Sequence, residues 1–92
     1  MNSTHVLAIL TIHTDNLPEN FQDIIKHERE VVAAWKAEGF LEQLFLRPTR
    51  NGAILIFKNL TEEEVNEKMK TLPLYPLMKS LEVLPLIADT AI

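Results

Sequence analysis

The sequence predicts an α+β fold with four strands and two helices in the order β-α-β-β-α-β. Three observations carry this reading. Two segments repeat their apolar residues with a helical period, four short aliphatic segments have strand length, and an Asn51-Gly52 pair separates the middle two of them.

The first strand is read at residues 5 to 13, HVLAILTIH. Val6, Ala8, Leu10 and Ile12 share one face, and His5, Leu7, Ile9, Thr11 and His13 share the other. Both faces are largely apolar, so the strand is expected to be covered on both sides. The turn TDNLPEN leads into a helix from about Glu19 to Glu38, with Pro18 or Asn20 near its start and Gly39 as its stop. Phe21, Ile24, Ile25, Val31, Val32 and Trp35 give it an apolar face, and Trp35 reads as core.

FLEQLFLR, residues 40 to 47, and AILIFK, residues 53 to 58, read as strands joined by a hairpin at Asn51-Gly52. Thr61 and Glu64 then form a capping box, with Leu60 and Val65 spaced for a hydrophobic staple. A second helix should run from Glu62 to about Thr71 and end before Pro73. LEVLPLI, residues 81 to 87, reads as the last strand, and Pro85 assigns it to a sheet edge. This order describes a ferredoxin-like plait with both helices on one face of a four-stranded antiparallel sheet. The other face is apolar as well and is expected to meet a second subunit. No linker, internal repeat or low-complexity segment divides residues 1 to 92, so a single domain is expected.

Composition narrows the function. The 92 residues carry a net charge of −4 and no basic run, which argues against nucleic acid and anionic membranes as partners. The absence of cysteine removes disulfides, thiolate nucleophiles and cysteine-type zinc sites. MNSTHVLAIL lacks the basic region and cleavage site of a signal peptide, and the apolar run is too short for a bilayer, so a cytoplasmic location is expected. His5 and His13 lie eight residues apart on one strand, roughly 26 Å, too far to share a metal. Two glycines cannot build a phosphate-cradling loop. No metal or organic cofactor is expected.

Glu28 stands out. On a helical wheel with Phe21 at zero, Ile25 and Val32 fall near about 40° and 20°, and Trp35 near about 320°. Glu28 falls near about 340°, inside this apolar arc, while Lys26, Arg29 and Glu30 lie on other faces. A carboxylate there must be desolvated, paired or neutralised. It is either part of a structural ion pair or a base whose pKa is raised toward neutrality. Arg50, beside the turn, is a candidate clamp for a substrate carboxylate, or else a solvated hairpin charge. Arg47, read on the same strand face as Leu41, Gln43 and Phe45, is an alternative clamp. Gln43 could orient a ligand, His5 could carry a proton, and Tyr75 could line a pocket; each also has an ordinary structural role.

The run LPLYPLM, Leu72 to Met78, followed by LEVLPL, together with IKHERE, Gly39 and Ile56-Phe57, resembles the muconolactone delta-isomerase family over nearly the whole chain. The resemblance implies a ferredoxin-like subunit that pairs sheet to sheet into a dimeric α+β barrel and assembles further, up to a decamer. It also implies a cofactor-free isomerase of aromatic catabolism, which moves a proton within a small anionic substrate and turns muconolactone into 3-oxoadipate enol-lactone. Counted from Gly39, the family's helix glutamate falls on Glu28; its hairpin arginine falls on Arg50, and His5 lies near its N-terminal histidine. Three positions depart from the family: Gln43 replaces an expected histidine, and Leu41 and Phe45 replace expected tryptophans. A cofactor-independent monooxygenase and a non-catalytic small-molecule-binding protein are the alternatives on the same fold.

Overall fold

The computed structural model describes residues 4–92. The elements follow as β1 (His5–Ile12), α1 (Phe21–Glu38), β2 (Leu41–Leu46), β3 (Gly52–Lys58), α2 (Glu62–Lys70) and β4 (Met78–Leu86). A single turn of 3-10 helix, Tyr75–Leu77, precedes β4. The sheet is antiparallel in the order β2-β3-β1-β4, which is the ferredoxin-like arrangement. Pro85 lies on the edge strand β4, where its missing N–H leaves no inner ladder unpaired.

Strand alternation builds the core. Val6, Ala8, Leu10 and Ile12 of β1 and Ala53, Leu55 and Phe57 of β3 are buried. They pack with Val32 and Trp35 of α1 and Val65 and Met69 of α2, so both helices cover this face. Trp35 lies 6.1 Å from the Phe40 ring and 5.8 Å from the Phe57 ring, and Lys68 sits 4.2 Å over the Phe40 centroid. On the opposite face, Leu7 lies between Ile56 and Leu84, and Ile9 beside Ile54, which itself pairs with Phe45. These side chains are half-buried or, for Phe45 and Leu84, exposed in the single chain.

The helix ends follow their local chemistry. Gly39 takes the left-handed conformation at φ 92° and donates its N–H to the Lys36 carbonyl, closing α1. Asn20 precedes α1 without a side-chain cap. The capping box forms as spaced: Glu64 N–H donates to Thr61 Oγ1 at 3.1 Å, and Thr61 N–H donates to Glu64 Oε1 at 2.9 Å.

Three local features differ from the sequence reading. First, β2 is bulged between Leu41 and Gln43. Leu41 therefore opposes Phe57 and is buried, whereas Gln43 opposes Ile56 and Phe45 opposes Ile54 on the other face. Strict alternation, which groups Leu41 with Gln43, Phe45 and Arg47, fails at that extra residue. Second, the hairpin does not turn on Asn51-Gly52. Arg50 N–H donates to the Arg47 carbonyl, Pro48 occupies the position that fixed φ favours, and Arg50 takes the left-handed region at φ 61°. Gly52 instead begins β3, and glycine is needed there because a Cβ would lie 2.2 Å from the Leu10 carbonyl oxygen.

Third, residues 71 to 77, which lie between the second helix and the last strand, form a compact turn, and the strand starts earlier than read. Tyr75 N–H donates to the Leu72 carbonyl and Leu77 N–H to the Leu74 carbonyl. Pro76, with its fixed φ and no N–H to satisfy, fits the start of the 3-10 turn. The winding buries Leu72 and Leu74 and leaves Tyr75 exposed. It also lets β4 start at Met78, three residues earlier than the sequence pattern indicates.

The Gly52 contact can be tested directly. Gly52→Ala forces β3 away from β1, and denaturant unfolding should show a loss of about 1–3 kcal/mol, the usual cost of overpacking. An unchanged midpoint would show that the strands separate without cost.

Candidate functional site

A cavity of about 840 Å³ lies between α1 and β2. Leu10, Ile12, Ala53 and Leu55 form its floor, Phe21, Ile25 and Val32 line the helix wall, and Leu74 closes one side. The walls are mainly apolar, as small-molecule sites generally are, with a few polar groups set among them.

Glu28 is the one acidic residue in this lining, and it is buried. Its place on α1 is the one the apolar arc predicts. The backbone N–H of Leu74 donates to Glu28 Oε1 at 3.2 Å, across 46 residues of chain. No lysine or arginine pairs with it among the described residues. Burial pushes the carboxyl above its ordinary value, and the Leu74 N–H and the charge of nearby His27 pull it back only in part. The group is thus a desolvated carboxyl with one neutral donor, facing an apolar cavity.

Arg50 lines the same cavity, as do Arg47 and Gln43. The left-handed backbone at Arg50 is uncommon for a residue with a side chain, and such strain gathers at functional positions. Arg47 Nη1 donates to Thr11 Oγ1 at 2.9 Å, which fixes its guanidinium at the base of the hairpin.

His5 and Tyr75 are not brought to this cavity. His5 lies on the sheet face away from the helices, with Nε2 2.8 Å from Glu42 Oε2 and Nδ1 2.9 Å from Thr4 Oγ1. Its register opposite Lys58 sends it there, and the β2 bulge brings Glu42 within reach. Tyr75 is exposed because the 3-10 turn directs Leu74 inward instead. Leu74 is the residue that sequence reasoning missed. Its contribution is a backbone N–H, which has no side-chain signature; the only sequence signal is its place between Pro73 and Pro76.

Among the described residues, no group of three or more His, Asp or Glu side chains is placed to hold a metal ion, and no helix is long and apolar enough to cross a membrane.

Comparison with known proteins follows the same lines. A crystal structure of muconolactone isomerase superposes with a TM-score of 0.75 at 19% identity, covering 95% of this chain and 93% of the other. PA3566 from Pseudomonas aeruginosa superposes with a TM-score of 0.59 at 14% identity, covering 98% and 97%. The 5-chloro-2-hydroxyhydroquinone dehydrochlorinase TftG from Burkholderia phenoliruptrix AC1100, in complex with 2,5-dihydroxybenzoquinone, gives 0.60 at 13%, covering 94% and 97%. At these identities the structures show a shared fold. No curated protein matches the chain in sequence. The family model described as muconolactone delta-isomerase matches residues 5–89. On that match, which spans every element of the fold, the chain belongs to the muconolactone delta-isomerase family.

Proposed function

We propose that the protein is an isomerase that moves a proton within a small unsaturated lactone acid or carboxylic acid, as in the conversion of muconolactone to 3-oxoadipate enol-lactone. The observation that carries this reading is Glu28: a buried, unpaired carboxyl lining an apolar cavity, with its pKa raised by desolvation. A base works best when its pKa approaches the working pH, and burial moves Glu28 in that direction. Glu28 takes a proton from the carbon next to a carbonyl or alkene and returns it further along the conjugated system. The same carboxyl serves both steps, so the proton count closes without a second acid.

Arg50 holds the substrate carboxylate, since a guanidinium offers two parallel donors to it. Gln43 borders the cavity from β2, but its register opposite Ile56 turns its side chain to the other sheet face, so it is not the group that orients the ligand. The apolar floor keeps water from the reacting carbon, which protects the carbanion-like intermediate. The chemistry uses the protein's own side chains. The apolar sheet face formed by Leu7, Ile9, Ile54 and Ile56 is covered by a second copy of the chain, giving a dimer at least. His5 and Tyr75, outside the cavity of one chain, would reach a substrate only from a neighbouring subunit.

Glu28→Gln should lower turnover of a lactone acid by about 10²–10⁴ and leave assembly intact. Solvent-deuterium incorporation into the substrate should fall with it; incorporation at the wild-type rate would assign the proton transfer elsewhere.

The same substitution has a pH-dependent effect on stability. A carboxyl whose pKa is higher folded than unfolded stabilises the fold while protonated, and that contribution is lost as pH rises through the folded pKa. Glutamine stays neutral and can still accept from Leu74 N–H. Thermal unfolding should therefore show Glu28→Gln gaining on the wild type between about pH 4 and pH 8. A constant difference across that range would mean Glu28 is not desolvated.

Arg50→Gly should separate binding from folding. Glycine relieves the left-handed strain, on the order of 1 kcal/mol, so unfolding stability should hold or rise. The KM for a carboxylate substrate should rise at least about tenfold, the loss expected for a charge-assisted pair. An unchanged KM would make Arg50 a plain turn residue.

A further inference from the structure

Taking a proton from carbon moves charge across the cavity. Glu28 becomes neutral as its oxygen gains the proton. The electron pair of the broken C–H bond spreads through the conjugated system onto the carbonyl oxygen. The site therefore needs a donor for an anionic oxygen that the bound substrate does not yet carry. That donor must also stand clear of Glu28, because a cation beside the base would lower its pKa and hold it in an ion pair.

Arg29 meets both conditions. It follows Glu28 on α1, about 1.5 Å further along the axis and about 100° around it. That rotation takes it off the core face, where Leu74 N–H holds Glu28, and onto the flank that lines the cavity. Ile25, Val32 and Ala33, its neighbours at three and four residues, line the cavity with it. Among the described residues, no carboxylate lies within ion-pair distance of Arg29. The charge that pulls the Glu28 carboxyl down is that of His27, not of Arg29. Arg29 is mid-helix, so the helix dipole does not explain a cation there.

The other cations of the lining are placed differently. Arg50 stands at the hairpin, and Arg47 is tied to Thr11 on the sheet face away from the helices. Lys36 lies about 12 Å beyond Glu28 along the axis, in the last turn, where it complements the dipole.

We propose that Arg29 stabilises the carbonyl oxygen of the substrate as that oxygen becomes anionic during proton transfer. This deepens the functional reading above and rests on Glu28 being the base. The substrate enters with one carboxylate, held by Arg50. Its second negative charge exists only while the proton is on Glu28, and it disappears when the C–H bond re-forms further along the conjugated system. A contact made only at that stage raises kcat and leaves KM alone.

Two measurements test it. With muconolactone as substrate, Arg29→Gln should lower kcat about 10²-fold and keep KM within about threefold of the wild type. Arg29→Lys, which keeps the charge, should recover part of the loss. The position is exposed, so neither substitution disturbs the core. The second measurement needs no turnover. 4-Hydroxy-3-nitrophenylacetate carries a carboxylate and a phenol that ionises near neutral pH with a change in visible absorption. It is bound to the Glu28→Gln variant, whose neutral side chain stands in for the protonated base. There its phenol should ionise at a pH about one unit or more below that in free solution, and adding Arg29→Gln should remove the difference. An unchanged kcat in Arg29→Gln would overturn the proposal. So would a phenol titration that is the same with and without Arg29, or no binding of the probe. If muconolactone is not turned over, the phenol titration decides alone. The two readings fail separately: wild-type turnover in Glu28→Gln would remove the base, whereas turnover lost in Glu28→Gln and kept in Arg29→Gln would remove only the role of Arg29.

Discussion

The hydrogen bond from Leu74 N–H to Glu28 Oε1 is the contact on which the candidate site depends. It joins the middle of α1 to the turn before β4, segments 46 residues apart. A buried carboxyl with no partner would be costly, and one with a cationic partner would be an inert ion pair. A single neutral donor lies between these limits. It satisfies one oxygen and fixes the side chain, yet leaves the carboxyl desolvated enough for its pKa to stay raised. The turn that supplies the donor is shaped by Pro73 and Pro76 and anchored by the burial of Leu72 and Leu74. Through this turn, the greasy proline-containing segment closes the cavity and presents one backbone N–H to Glu28.

Much of this was legible in the sequence, for identifiable reasons. The element order followed from periodicity, from Gly39 and from the Thr61 capping box, all of which act over a few residues. Glu28 was legible because a wheel measures which face a residue occupies, and the core face is fixed by Val32 and Trp35. The β2 bulge was not legible, because one inserted residue leaves no mark in an apolar-rich strand and moves Leu41 to the opposite face from Gln43. The turn geometry was misread for a related reason. Asn51-Gly52 has the composition of a tight turn, but Pro48 sets the turn three residues earlier, over Arg47 to Arg50, and Arg50 takes the left-handed conformation. The Leu74 donor was beyond reach, since a backbone group looks the same in every residue and only the tertiary fold selects it.

The architecture also accounts for the location of the cavity. Both helices cover the inner face of the sheet, but β2 is an edge strand, and Leu44 and Leu46 remain exposed beside α1. The space between helix and edge strand is therefore left partly open, with an apolar floor from the central strands β1 and β3. Charged side chains can enter from the helix flank and from the hairpin without disturbing the core. Leu41, Leu44 and Leu46 of β2 form one wall of that space.

The central claim is that Glu28 is a desolvated carboxyl poised for proton transfer. It is tested most directly by following the 13C chemical shift of the Glu28 side-chain carboxyl as pH is varied in the intact protein. The account predicts a midpoint clearly above the ordinary glutamate value of 4.5. A midpoint at that ordinary value would contradict it.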